Sequence, residues 1–251
     1  MPDLSVIAAT DLSARSAHVA ARARALAEVL GARLVCVHVT DGKAPAALPG
    51  DTRLLTGETA PALAALATEE NAALIVLGLH RERRVLDVLR LTTLERIVLA
   101  APCPVLIAHQ PPERKYAQVL APTDFSAGSA AALAMAARIA PGAQFHAIHA
   151  LQMRLGARAA PGNREFEAAM DRAEAHCSAF LSRPGLPPLA EPPEIVPGGV
   201  HPVLAFRSAE LGADLVAIGA HSGRSPDQLG NYARDLMRAP PTDLLVSKPG
   251  P

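Results

Sequence analysis

One set of landmarks occurs twice along the chain in the same order, and this internal repeat constrains the fold more than any other feature. Thr10-Asp11-x-Ser13 is matched by Thr123-Asp124-x-Ser126, His38 by His149, Gly78-x-His80 by Gly219-x-His221, and Pro102 by Pro241. A single match arises readily in an Ala- and Leu-rich chain, but a colinear series does not. The chain therefore reads as two copies of one unit, residues 1–110 and 116–251, joined through a short polar, proline-containing stretch around 110–115.

Within each copy, short apolar runs alternate with segments of helical spacing. Residues 4–9 are an apolar run that ends at Thr10-Asp11-Leu12-Ser13, where cap-forming residues precede a long Ala-, Leu- and Arg-rich segment ending near Gly31. Further strands are predicted at 34–39, 53–56, 74–77 and 105–107, and helices at 60–70 and about 91–100. The second copy repeats the order, with strands at 119–121, 145–150, 194–196, 215–218 and 244–246. Its helices are expected up to about Ala140 and at 163–181, 202–211 and 231–238. Strands alternating with helices predict an α/β protein with a parallel sheet covered on both faces. The first copy lacks one helix, near residues 41–50.

Composition narrows the functions such a chain can serve. Lys plus Arg equals Asp plus Glu at 24 each, so no global basic field exists to attract nucleic acid or anionic lipid, and neither is expected as a partner. The three cysteines, Cys36, Cys103 and Cys177, have no CxxC spacing and read as small buried hydrophobes of a reducing compartment. The opening Met1-Pro2-Asp3 lacks a basic flank and a long apolar core, so no secretory signal is expected. The best apolar run, 97–108, is broken by Pro102 and Pro104 and is too short for a membrane span. A cytoplasmic location is the expectation.

In an open parallel sheet, ligands bind beyond the carboxyl ends of the strands, where the strand order reverses. Three loops of each copy should meet there: the Thr-Asp-x-Ser turn, the end of the second strand and the loop after the fourth. In the second copy that last loop holds Gly219, Ser222, Gly223, Gly230 and Asn231 and leads into a helix. Glycines admit close backbone approach, and amides at a helix N-terminus suit phosphate.

The apolar run ending Pro-Thr-Asp-Phe-Ser, the Gly-x-His with its Gly- and Ser-containing loop, and the closing Pro-x-x-Leu-Leu-Val together resemble the universal stress protein family, over nearly the whole chain. The resemblance implies two tandem open parallel five-stranded sheets with helices on both faces, Rossmann-like in design. It also implies adenine-nucleotide binding, ATP or AMP, in members that keep the loop Gly-x-x-Gly, nine residues, Gly-Ser/Thr. Carried over, the adenine- and ribose-contacting turn falls on Pro122, Thr123 and Asp124, and the residue ending the second strand on Ala150. The phosphate loop falls on Gly219, Ser222, Gly223, Gly230 and Asn231. Here Ser222 stands for the second Gly with Gly223 following, the spacing to Gly230 is two residues short, and Asn231 replaces Ser/Thr. In the first copy the same positions are Asp11, Val39, Gly78, Arg81, Leu91 and Thr92, so two of three glycines are gone. Side chains there obstruct backbone approach to phosphate, with Arg81, Arg83, Arg84 and Arg90 as alternative anion partners; this copy is expected to be nucleotide-free.

The resemblance further implies that strands 105–107 and 244–246 pair across a pseudo-twofold axis, making the chain its own dimer and allowing a further homodimer. A non-enzymatic stress-response protein is the leading expectation, and no catalytic residue is named. Its rivals are a protein-interaction module with both pockets degenerate and a slow ATPase, for which the sequence positions neither a base nor a Mg²⁺ ligand. Asp11 and Asp124 also have a turn role open to them without ligand. The repeated histidines lack carboxylate or Cys companions at ligand spacing and read as structural, with no metal site expected.

Overall fold

The computed structural model describes residues 3–13, 16–42, 45–79, 91–109, 114–153, 162–221 and 228–249. The first repeat runs β1 (Ser5–Ala9), α1 (Ala17–Leu30), β2 (Arg33–Thr40), β3 (Arg53–Thr56), α2 (Thr59–Glu69), β4 (Ala72–Gly78), α3 (Thr93–Ala100) and β5 (Val105–Ala108). The second runs β6 (Gln118–Pro122), α4 (Ala127–Ile139), β7 (Gln144–Leu151), α5 (Arg164–Leu181) and β8 (Glu194–Pro197). It closes with α6 (Val200–Leu211), β9 (Leu215–Gly219), α7 (Asn231–Arg238) and β10 (Asp243–Ser247). The unmatched element is α5: among the described residues no helix lies between β2 and β3.

All ten strands form one sheet in the order β3-β2-β1-β4-β5-β10-β9-β6-β7-β8. Each repeat is a parallel five-stranded sheet, and the two meet where β10 pairs antiparallel with β5, Leu245 opposite Leu106. The pairing expected across the pseudo-twofold axis is therefore present within the chain. Strand order reverses between β1 and β4 in one repeat and between β6 and β9 in the other. Two crevices result, both at carboxyl ends of strands.

The central strands are apolar on both faces because helices cover both. Val6 and Ala8 enter one core, beneath α1 and α4, while Ile7 between them enters the other, beneath α2, α3, α6 and α7. Leu106 and Leu245 join the first core; Val105, Ile107, Leu244 and Val246 join the second. Each core thus runs through the junction without interruption. Gly31 and Gly212 end α1 and α6 in the left-handed conformation at φ 61° and 58°, which glycine adopts without steric cost.

A buried polar cluster fastens the repeats beside the strand pair. Asp243, fully buried, accepts hydrogen bonds from the His109 amide and the Tyr116 hydroxyl, both at 2.6 Å. The Arg22 guanidinium lies 3.1 Å from the same carboxylate, stacks on the Tyr116 ring at 4.8 Å and donates to the Arg114 carbonyl oxygen at 2.7 Å. Burial first, then the neighbouring Asp243 charge, pushes the Tyr116 phenol well above its ordinary range. A buried carboxylate is tolerated here because a cation and two donors accompany it.

Candidate functional site

The Thr-Asp-x-Ser turns have the same construction in both repeats. Thr10 donates its amide to the Val37 carbonyl oxygen and Thr123 to that of Ile148, each at 2.9 Å, which ties the turn to the neighbouring strand. The threonine hydroxyl accepts from the amide two residues on, Leu12 at 3.0 Å and Phe125 at 2.9 Å. The aspartate accepts from the following serine amide, Ser13 at 2.9 Å and Ser126 at 3.1 Å. Leu12 and Phe125 take up φ of 60° and 62°, an uncommon conformation for bulky residues. Because both repeats hold it, these strained turns are a property of the fold as much as of any ligand.

The repeated histidines complete the turns. His38 Nδ1 donates to the Thr10 carbonyl oxygen and His149 Nδ1 to that of Thr123, both at 2.8 Å, and the His149 ring stacks on Phe125 at 4.7 Å. Among the described residues no group of three or more His, Cys, Asp or Glu is arranged to hold a metal ion.

The turns differ in how they enter their helices. Ser126 is the N-cap of α4, accepting from the Ser129 amide at 3.2 Å, and the Ser129 hydroxyl donates to Asp124 Oδ1 at 2.6 Å. Desolvation would raise the Asp124 carboxyl, but the bonds from Ser126 and Ser129 outweigh it and hold the group below the ordinary carboxylate range. An anionic acceptor is thereby kept at the mouth of the crevice. In the first repeat Ser16 precedes α1 without a side-chain cap, its hydroxyl 2.7 Å from that of Thr10.

Around the second crevice the described residues of the predicted set lie at the ends of β6, β7 and β9 and at the start of α7. Pro122 ends β6 beside Ile148 of β7, and Ala150 lies two residues further along that strand. Gly219 ends β9 against the start of α4, where a Cβ would meet the Gly128 carbonyl carbon and the Ser129 nitrogen at 2.8 Å. The close backbone approach that Gly219 permits is thus, in this structure, to a helix of its own repeat. Gly230, the N-cap of α7, donates its amide to the Ala220 carbonyl oxygen at 2.8 Å, and exposed Asn231 begins that helix. Buried His221 closes the base of the intervening loop with a 2.9 Å bond between Nδ1 and the Gln228 carbonyl oxygen. Ser222 and Gly223 lie outside the described residues, as do His80, Arg81, Arg83, Arg84 and Arg90 of the first repeat.

The sharpest contrast between crevices is at the last helix. Thr92, the N-cap of α3, forms a capping box: the Glu95 amide donates to its hydroxyl at 3.2 Å, and the Thr92 amide donates to Glu95 Oε2 at 2.8 Å. A carboxylate of the chain itself occupies the end of the dipole that would favour a phosphate. The N-cap of α7 is Gly230, which supplies no side-chain cap. Sequence spacing pointed to lost glycines in the first repeat but missed Glu95, although Thr92-x-x-Glu95 is the capping-box pattern.

The cysteines take no part in either crevice. Cys177 in α5 is buried as expected, whereas Cys36 in β2 and Cys103 in the turn before β5 are only half-buried. Desolvation raises all three thiols, Cys103 to about 12, so they are weak nucleophiles at neutral pH.

Two doubly wound, Rossmann-like α/β units fused through their last strands define the class. The universal stress protein family matches residues 50–109 and 115–248, so this chain belongs to that family. The first match starts at residue 50, yet β1, α1 and β2 precede it where the second repeat has β6, α4 and β7. A Pseudomonas aeruginosa PAO1 protein described as functionally unknown is similar at TM-score 0.70 and 20% identity, over 98% of this chain and 92% of that one. A universal stress protein from Archaeoglobus fulgidus DSM 4304 is similar at TM-score 0.62 and 16% identity, over 98% and 96%. Both likenesses are to the tandem fold. Comparison with curated proteins gives no match. Among the described residues, no helix is long and apolar enough to cross a membrane.

Proposed function

We propose that the chain is a cytoplasmic stress-response protein whose second repeat, residues 116–251, binds an adenine nucleotide, ATP or AMP, while the first, residues 1–110, does not. The carrying observation is the opposite treatment of two helix N-termini: α3 is capped by its own Thr92 and Glu95, and α7 opens at Gly230 without a side-chain cap. Asp124, Thr123, Pro122 and Ala150 would then face the base and ribose, and the segment from Gly219 through Ser222 and Gly223 to Gly230 and Asn231 the phosphates. Asp124 is exposed, and its carboxylate is the acceptor that would meet a ribose hydroxyl. No residue is assigned a catalytic role. Titration calorimetry with ATP and AMP tests the reading. Wild type should show saturable heat that Asp124→Ala abolishes and Asp11→Ala leaves intact; no heat in wild type discards it.

A second reading has its own observation. The Gly230 amide is already bonded to Ala220, and the backbone at Gly219 is covered by Gly128 and Ser129. Both are groups a phosphate loop would use. On this reading the pockets are degenerate and the surface recruits a protein partner; a pull-down would then return a specific partner whose capture ignores ATP.

A further inference from the structure

The helix that opens the second crevice is held in place from the first repeat. Arg234 and Arg238 are one turn apart on one face of α7, and each directs Nε at Glu95 Oε1 of α3, at 3.4 and 3.1 Å. The Glu95 side chain is fully buried, while those of the arginines are 28% and 34% exposed. One carboxylate thus does two things: Oε2 caps α3 through the Thr92 amide, and Oε1 carries the two guanidinium groups of α7.

The remaining supports of α7 explain why this anchor matters. In the first repeat α2 packs directly on α3. In the second, α6 and α7 meet through His201 of α6, which lies 3.1 Å from the Asp235 carboxylate and edge-on to the Tyr232 ring. A cleft of about 220 Å³ opens beside them, lined by Leu204, Ala205 and Ser208 of α6, Tyr232 and Leu236 of α7, and floored by Leu120 and Val216. Only Ala233 and Met237 of α7 are buried. The helix is therefore seated on the sheet, joined to α6 through exposed His201 and to α3 through buried Glu95. Its first turn bears Asn231 and is tied to the anchor through Arg234, and its last turn through Arg238.

We propose that Glu95 is a positioning residue for the second repeat's site: the first repeat, whose own α3 is closed by Thr92 and Glu95, fixes the N-terminus of α7 in the second. The ligand arm of this inference rests on the nucleotide reading above; the anchoring arm does not. Glu95→Gln suits the test because Gln still serves a capping box while losing the charge that holds the arginines. Arg234→Gln/Arg238→Gln removes the other side from partly exposed positions, and the triple variant closes the cycle. Amide hydrogen exchange, read without ligand, should rise about tenfold at residues 234–239 in both variants, with no further rise in the triple and no change in β1 or β4. ATP dissociation constants, read on the same proteins, should weaken in parallel. Unchanged exchange in α7 of Glu95→Gln overturns the inference whatever ATP does, and so does unaltered ATP affinity in a variant whose wild type binds. Wild type that takes no ATP, with exchange in α7 still raised, discards the nucleotide reading and supports the anchor.

Discussion

Helices α3 and α7 stand at corresponding places in their repeats, both entering from the loop after a fourth strand, yet they resolve the same electrostatic problem in opposite ways. Every helix start presents unpaired amides and a positive dipole end. In α3 the chain answers with Thr92 and Glu95; in α7 the N-cap is Gly230, which has no side chain to answer with. The two repeats therefore differ by more than glycines: the first puts a carboxylate of its own at the start of this helix and the second does not.

The largest expected effect concerns the bond between the repeats. Asp243→Ala leaves Arg22 and Tyr116 buried without their acceptor and should cost about 3–5 kcal/mol in urea unfolding. If fluorescence and hydrogen-exchange probes in both repeats lose protection together, the halves are one cooperative unit; loss confined to the second repeat would make the comparison one between independent bodies. Smaller effects follow at the caps. Thr92→Ala and Ser126→Ala each delete an N-cap acceptor and should each cost about 1 kcal/mol, the first centred on α3 and the second on α4. Only Ser126→Ala should also disturb Asp124, because the Ser126 hydroxyl bonds that carboxylate and lies 3.3 Å from the Ser129 hydroxyl that donates to it.

The smallest effect is in acid. Bonds from Arg33 first, against desolvation, and then from Arg53 keep Glu70 below its ordinary range, and Asp124 is depressed for the reasons above. A depressed carboxylate contributes stability that is present above its unfolded pKa and lost as pH falls through the folded one. Stability should therefore decline below the ordinary carboxylate range. Glu70→Gln should flatten the first repeat's share and Asp124→Asn the second's, measured by thermal unfolding across an acid series. Arg33 and Arg53 are substantially solvent-exposed, which limits the first contribution.

What the sequence made legible was local. Apolar runs bounded by Thr, Asp, Ser and Gly located the strands, with 53–56 and 231–238 matching β3 and α7 and most others extending by a residue or two. Helix α3 starts at Thr93 and not at 91 because Thr92 is its cap. The missing helix of the first repeat was visible as missing length. The turn role of the aspartates was also readable, since an Asx turn needs only residues two apart. Long-range pairings were not: Glu95 meets Arg234 across 139 residues and Tyr116 meets Asp243 across 127. Gly219 looked like a ligand-facing glycine, while its neighbour Gly128 is set against it by the packing of α4 on β9. No periodicity announces that contact.

The antiparallel join of β5 and β10 has a consequence for choice of partner. Register places Ala108 beside Gly78 and Ser247 beside Gly219; counting back equally from each sets Glu95 and Arg234 at equivalent positions, 139 residues apart. In a pair of identical units such a position near the axis meets its own copy. Two first repeats joined this way would set carboxylate against carboxylate, and two second repeats guanidinium against guanidinium. Unlike repeats attract and like repeats repel, so a swap between molecules is penalised unless it restores one of each.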